Sequence, residues 1–594
     1  VPGSGLTAGA RSLPMNQTRS FLLIAWLIVA FFLYMEWARG PVQPEAAVQT
    51  DPTTAAIPTG ADIPSASAVP SAAATPPPPD TDAALPGVPA SSAPGAVSST
   101  VSIETDVMRL TLDLRGGSLI GAELLDYPVN KDEPDIKVRL LNTDPAHFSV
   151  AQSGLVAAEG MPGTAPNHEA LFRTEDGRSS FRMAEGEDRL EVPLVWNDPE
   201  SGLSLRKVLV FDRGSYAITQ RQELSNQGSQ PWRGAAYEQL LRVPPPSLSR
   251  AAGLTNPEAY SFKGVAWYTP GEKFEKFKVD DIFEDGPQNR DTSNGWISML
   301  QHHFLLAWVP GAGEAHRYSM AGLSPNDQRH LVRMTAPVEV APGATTVRET
   351  TLWVGPKLQE QLVELGEGMK LTLDYGIFTF LAQPMFDFVL KPLYDLTGNW
   401  GWAIILTVLI IKLLLYPLSA KQYLSFAKMR AVQPRIEALK ERYGDDKQKF
   451  QMAMMELYKK EKINPMGGCL PILVTIPIFI ALYWMLLESV EMRQAPWIGW
   501  IQNLTAPDPY FILPAINLVV MYLTQKMTPT PGMDPMQKKI MTMMPLVFGV
   551  MMAFFPAGLV LYWCTNGILG LLQQWVITKR HGDKATPSAP VPAK

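Results

Sequence analysis

At 594 residues the chain has room for several domains, and a formal net charge of −6 argues against a nucleic-acid binder as a whole. Its two cysteines set out no disulfide framework, its seven histidines show no HxxxH or Cys/His ligand spacing, and no Walker loop, nucleophile elbow or zinc motif occurs. Nothing in the composition points to covalent chemistry or to a cofactor.

Residues 1–14 precede the first methionine and are read as an expression remnant or an upstream extension. The apolar segment from Phe21 to Trp37 follows Arg19, lacks a small-residue cleavage site and just reaches spanning length, so 15–39 is expected to be an uncleaved anchor rather than a removed signal. Residues 40–99 are rich in Pro, Ala and Ser, contain TPPPPD, and cannot bury a core; they read as an extended, disordered tether.

Between 100 and 356 the pattern becomes alternation. MRLTLDLRGGSLIGAELL and LSLRKVLVFDRGSYAITQRQEL are strand-like with turn residues between them, and many such runs predict a large antiparallel β-sandwich. No carboxylate pair stands out there as acid and base. The neighbours His302 and His303 are expected on opposite faces of a strand, a poor arrangement for a metal. Residues 373–398 mix aromatics with Asp387, Lys391 and Asp395, which suits a helix lying in a membrane interface and interrupted near Pro384.

Five further spans are predicted at 399–418, 465–488, 509–526, 539–555 and 559–578, several of them short enough to imply tilt or a thinned bilayer. The basic residues fall on one side of this arrangement: Arg19, the run from Lys421 to Lys462, Lys526, Lys538, Lys539, and Lys579 with Arg580. The positive-inside rule then puts both termini in the cytoplasm and the β-domain outside, in the periplasm of a Gram-negative cell. The fold class is thus a six-span α-helical membrane protein with a large external β-sandwich. Its cytoplasmic segment 419–464 reads as two helices turning at YGDD, and 579–594 form a short tail. Two readings of that hairpin stand. It is either an ordinary solvated element beside anionic lipid, or a docking platform for an incoming polypeptide or the ribosome, with Arg430, Arg435, Lys440 and Lys447 as its cations.

The run TVLIIKLLLYPL places Lys412 inside a span, where a lysine costs about 2.5–3.5 kcal/mol. It lies about 12 residues in, roughly 18 Å at helical rise. Either it snorkels to the cytoplasmic interface or it faces a water-filled hollow whose wetting partners are Asn517, Thr524, Gln525, Thr565 and Asn566. A charged hollow open to one side suits a polar segment that enters part-way and then crosses. A secondary transporter would show repeated halves or paired intramembrane charges, and a sugar-active enzyme would show a carboxylate pair; neither signature is present.

NWGWAIILTVLIIKLLLYPLSAKQYLSFAKM (399–429), NPMGGCLPILVTIPIFIALYWML (464–486), RQAPWIGWIQNLTAPDPYFILP (493–514) and FPAGLVLYWCTNGILGLLQQ (555–574) closely resemble the YidC membrane-protein insertase family, and GWISMLQHHFLLAWVP (295–310) resembles part of its periplasmic domain. The resemblance implies a five-helix core around a hydrophilic groove and a β-super-sandwich outside. It also implies an insertase without covalent chemistry or cofactors, serving nascent membrane proteins together with the SecYEG and SecDF components of the Sec translocon and with ribosomes. Lys412 occupies the position where the family usually carries arginine, which keeps the charge without the planar fork of donors. Tyr562 and Trp563 match aromatic positions near the family's substrate path and Gln525 is a further match, while Asn517 and Thr565 stand as groove residues on their polarity alone.

Overall fold

The computed structural model describes residues 100–244, 261–324, 327–443, 446–463, 470–528 and 535–582. The expected anchor and tether, residues 444–445 of the YGDD turn, Cys469 and the tail from 583 lie outside the described residues.

Strands run from Thr100 to Pro356 and form two large sheets, one of ten strands and one of nine. Pairing is antiparallel, apart from the parallel edge pair Ser102–Glu104 with Ser180–Arg182. Alternation in the sequence becomes alternation in burial: along Ala217–Asn226 the even-numbered side chains are buried and the odd ones are not. One continuous core joins the two sheets through residues such as Leu110, Leu205, Ile218, Leu240, Leu306 and Trp353. The predicted sandwich is therefore present, with short helices α1 (Val279–Asp285) and α2 (Gln359–Leu365) attached.

The interior also holds charge. Lys207 is fully buried, donates to Gly116 O at 2.8 Å and to Ser153 Oγ at 3.0 Å, and lies over the Phe172 ring. Burial pulls its ammonium down to about 7. Gly116, at φ 72°, has no room for a side chain there: a Cβ would come 2.4 Å from His168 O.

After the sandwich the chain turns helical: α3 (Thr379–Met385), α4 (Lys391–Thr397), α5 (Trp400–Leu414), α6 (Tyr416–Ala431), α7 (Gln433–Tyr443), α8 (Lys447–Lys460), α9 (Leu470–Glu488), α10 (Ile512–Met527), α11 (Pro535–Met552) and α12 (Ala557–Gly582). Three boundaries differ from the sequence reading. The 373–398 helix is not broken at Pro384. It continues through a π-helical turn, Phe386–Leu390, closed by Lys391 N donating to Phe386 O. The helix expected to end at Leu418 stops at Leu414, because Pro417 opens a new helix at 70° to it. The basic segment holds three helices rather than two, since the Gln433–Pro434 step starts α7. Its own small core is Met429, Val432, Ile436, Met454, Tyr458 and Ile463.

No single helix among the described residues is long and apolar enough to cross a membrane by itself; the bent pair α5 and α6 passes that test together.

Candidate functional site

α5 is positioned at its start. Asn399 caps it by accepting from Gly401 N and Trp402 N, while its amide donates to Trp497 O at 2.9 Å. Gly401 lets this turn lie against the Trp497 indole, where any Cβ would collide. From there Trp400, Ala403, Ile404, Thr407 and Val408 form the buried face at helical spacing. Ile411 and Lys412 extend that face three turns down, and the spacing carries Lys412 into the bundle rather than onto its outer surface.

There a cavity of about 170 Å³ has a counterpart nearly twice its size: the former lies beneath the sandwich, the latter, about 310 Å³, around Lys412. Its walls come from α5, α6, α9 and α12. Ser419, Gln422 and Tyr423 of α6 with Thr475 of α9 and Asn566 of α12 make one side polar; Phe479, Tyr562 and Trp563 make another aromatic. The Phe479 ring stacks on Trp563 at 5.6 Å and tilts on Tyr562 at 5.9 Å. No carboxylate among the described residues forms an ion pair with Lys412. The hollow is therefore positive, wettable along one wall and apolar along the other.

Of the residues singled out in the sequence, Lys412, Tyr562, Trp563 and Asn566 line this cavity together. Four others stand elsewhere, among them Thr524, whose hydroxyl bonds back to Val520 O at 2.8 Å. Asn517 is buried in α10 with its amide directed to Met521 Sδ at 3.7 Å, Thr565 bonds back to Leu561 O at 2.8 Å, and Gln525 is half-buried near the end of α10. Ser419, Gln422, Tyr423 and Thr475 were not anticipated. For Ser419, Gln422 and Tyr423 the spacing 408, 411, 412, 415, 419, 422, 423 carries the signal, one helical stripe that continues across the Pro417 bend.

The basic segment is engaged within the protein. Arg430 donates to Lys526 O at 3.0 Å and Arg435 pairs with Glu461 at 2.6 Å, while Lys440 is half-buried and Lys447 begins α8. Among the described residues no cluster of His, Cys, Asp or Glu is arranged to hold a metal ion.

The second cavity brings the sandwich to the helices. His302 and His303 sit in the turn between strands Trp296–Leu300 and Phe304–Pro310, not on opposite faces of a strand. The turn lets both rings point the same way, stacked at 3.8 Å. Their Nε2 atoms lie 3.1 and 3.2 Å from Leu487 O at the end of α9. Since a carbonyl can only accept, each ring carries its proton on Nε2. Burial lowers both histidines, His303 to about 3, so both are neutral donors.

Residues 100–388 match the YidC periplasmic domain family and residues 392–584 match the 60Kd inner membrane protein family. The membrane protein insertase YidC of Stenotrophomonas maltophilia strain R551-3 is 50% identical over 590 residues, covering 98% of this chain and 99% of that one. That of Xanthomonas euvesicatoria pv. vesicatoria strain 85-10 is 49% identical over 582 residues, covering 96% and 98%. A solved structure of an active YidC insertase with its first transmembrane domain resolved covers 81% of this chain and 92% of its own, at 20% identity and a TM-score of 0.35.

Proposed function

Because this chain belongs to the YidC membrane protein insertase family, we propose that it moves short polar segments of nascent membrane proteins through the Lys412 cavity and releases their apolar segments into lipid. The observation that carries this reading is one hollow with two chemistries. An unpaired ammonium and a polar wall would receive a hydrated, acidic tail, while Phe479, Tyr562 and Trp563 would guide the apolar stretch that follows it. The work is transfer between phases, with no bond made or broken.

The membrane arrangement belongs to the same proposal. Six spans, with the sandwich in the periplasm and both termini and the basic helices in the cytoplasm, are supported by the one-sided distribution of Lys and Arg. α10, with 16 residues, rises about 24 Å against a hydrocarbon core of about 30 Å. Such short helices would thin the bilayer and shorten the substrate's remaining path. Cooperation with SecYEG and SecDF, with ribosomes and with anionic lipid is supported by family membership and by the cationic segment.

The test uses liposomes holding only this protein, supplied with a short membrane protein that has an acidic external tail. Protease protection of the tail is scored for wild type, Lys412→Arg, Lys412→Leu and Lys412→Glu. Arginine should preserve insertion, and glutamate should lower it about tenfold or more, a change of about 1.4 kcal/mol in the barrier. Equal activity of the Arg, Leu and Glu variants would remove Lys412 from the mechanism.

A further inference from the structure

Between α9 and α10 the chain makes a long turn at the end of the bundle where α5 begins, and this turn is a built element. Trp497 N donates to Ile501 O and Leu504 N to Ala495 O, each at 2.9 Å. Ala557 N and Gly558 N, at the start of α12, donate to Ala506 O and Leu504 O at 2.7 and 2.8 Å. Ile501 and Leu504 are buried in the helical core. Asp508 is buried as well. Its Oδ1 accepts from Trp500 Nε1 at 3.1 Å and from Tyr510 N at 3.0 Å, and its Oδ2 from Leu513 N at 2.7 Å. The Asn399 amide on Trp497 O joins the loop to the start of α5, the helix that carries Lys412.

What this scaffold holds outward is apolar and uncharged. Ile498, Tyr510 and Phe511 are more than half exposed, and Trp500 and Trp402 more than a third. They make one rim: Trp500 and Tyr510 meet at Asp508, Ile498 lies across Gly499 from Trp500, and Trp402 packs edge-on against Trp497 with ring centroids 5.7 Å apart. Phe511 has φ 55°, a left-handed conformation that a bulky residue keeps only where its surroundings hold it. Charged residues make up 18% of the chain, yet from Gln494 to Gln525 there is Asp508 alone, and it is buried. The flanking cations are engaged between the loop and the end of strand Ser118–Asn130, Arg493 donating to Pro128 O and Lys131 to Gln502 O.

A rim of large apolar side chains left in water is an association hazard. An anionic headgroup would call for cations, and the rim presents none. Indole and phenol rings beside aliphatic side chains fit the boundary between acyl chains and headgroups, where each ring has an apolar body and a polar edge. We infer that the 494–511 loop is a lipid-docking surface, seated in the outer leaflet through Ile498, Trp500, Tyr510 and Phe511. Its partner is the glycerol–ester zone common to phospholipids rather than any one headgroup. This rests on the reading of α9 and α10 as spans, and adds to it a folded loop that grips the membrane instead of standing in water above it.

The experiment uses the full chain in liposomes of phosphatidylcholine, alone or mixed with phosphatidylglycerol. Single nitroxide labels are placed at Ile498→Cys, Tyr510→Cys and Phe511→Cys in a Cys469→Ser background, the buried Cys564 being kept. Power-saturation electron paramagnetic resonance measures the access of oxygen, which concentrates in lipid, against that of a nickel chelate, which stays in water. Leu171→Cys, exposed on the sandwich, is the water reference, and Val519→Cys, exposed on α10, is the lipid reference. The oxygen-to-nickel ratio at the three loop positions should exceed that at Leu171 at least about threefold, equally in both lipid mixtures. Ile498 lies outside the Asp508 hydrogen bonds, so its label decides where a change at Tyr510 or Phe511 disturbs the start of α10. Loop ratios equal to that of Leu171, with Val519 lipid-like, overturn the proposal and leave the spans standing. A water-like Val519 removes the spanning reading and the proposal with it. A raised ratio in anionic vesicles only would make the contact electrostatic and overturn the seat. So would exclusion of both reagents with spin–spin broadening that grows with the protein-to-lipid ratio, which would assign the rim to a second copy of the chain.

Discussion

Gly570 of α12 faces Lys412 of α5: a methyl group at that glycine would lie 3.5 Å from Lys412 Nζ and 3.2 Å from Tyr423 Oη. The space the ammonium occupies is thus held open by the lack of a side chain on the opposite helix. Gly570→Ala should be tolerated: 3.5 Å from Lys412 is ordinary contact, the Tyr423 hydroxyl need yield only a few tenths of an ångström, and alanine favours helix by about 1 kcal/mol. Gly570→Leu should displace the ammonium and lower insertion of an acidic-tailed substrate about tenfold, with helix content unchanged by circular dichroism. Equal insertion by the Ala and Leu variants would show that the ammonium does not act from this position.

The pair Arg348 and Glu238 lies inside the sandwich, with Nη1 to Oε1 at 3.1 Å and Glu238 fully buried. Arg348→Met strands that carboxylate and should destabilise the β-domain by about 3–5 kcal/mol. Replacing both residues together by Met should cost much less. Thermal melts of the detergent-solubilised chain, followed by near-ultraviolet circular dichroism, compare the two.

Glu491 sits beyond the end of α9, where burial raises its carboxyl to about 7. A carboxyl whose folded value exceeds its unfolded one, about 4.3, binds its proton more tightly when folded. Its contribution to stability is full below the unfolded value and is lost as pH rises to about 7. Glu491→Gln keeps an oxygen to accept from Gln359 N. The variant should match wild type in melting temperature at pH 4 and exceed it at pH 8. A constant difference across that range would show that the carboxyl does not titrate there.

Phe380, Phe388 and Leu396 project outward from the α3–α4 stretch at 74%, 80% and 79% exposure, while Ala382, Phe386 and Leu390 on its other face are buried. Three large apolar side chains that exposed are suited to lipid rather than water. Phe388→Trp should show a blue-shifted fluorescence quenched by brominated acyl chains. Emission near that of tryptophan in water, unaffected by bromine, would place the helix away from the bilayer.

The alternation between 100 and 356 was enough to read two-layer β architecture, because burial on one face imposes period two wherever a strand forms. Lys412 and Asn566 were legible because charge or polarity in an apolar run is expensive and so stands out, whereas Tyr562 and Trp563 came only from the resemblance to the family. Ser419, Gln422 and Tyr423 were hidden by Pro417: the apolar run ends there, whereas the helical stripe continues through the bend. Asn517 and Thr565 were misleading for a different reason. A polar side chain in an apolar helix can satisfy itself locally, as Thr565 does on Leu561 O, without facing any hollow. The meeting of His302 and His303 with Leu487 left no trace in local pattern, since it joins segments far apart in the chain.

The order of strands also governs when the sandwich can form. Thr345–Pro356, the final strand in sequence, lies inside the nine-stranded sheet, between Phe304–Pro310 on one side and Ala217–Asn226 on the other. Without it the sheet falls into two pieces with open edges. Folding of this domain therefore cannot keep pace with synthesis from its N-terminus: everything through Pro356 must have emerged before the sheet closes, and its neighbours wait as unpaired strands. Closure then coincides with arrival of the helices that follow, so a nascent chain stalled before Pro356 should be sensitive to protease and one stalled well beyond it resistant.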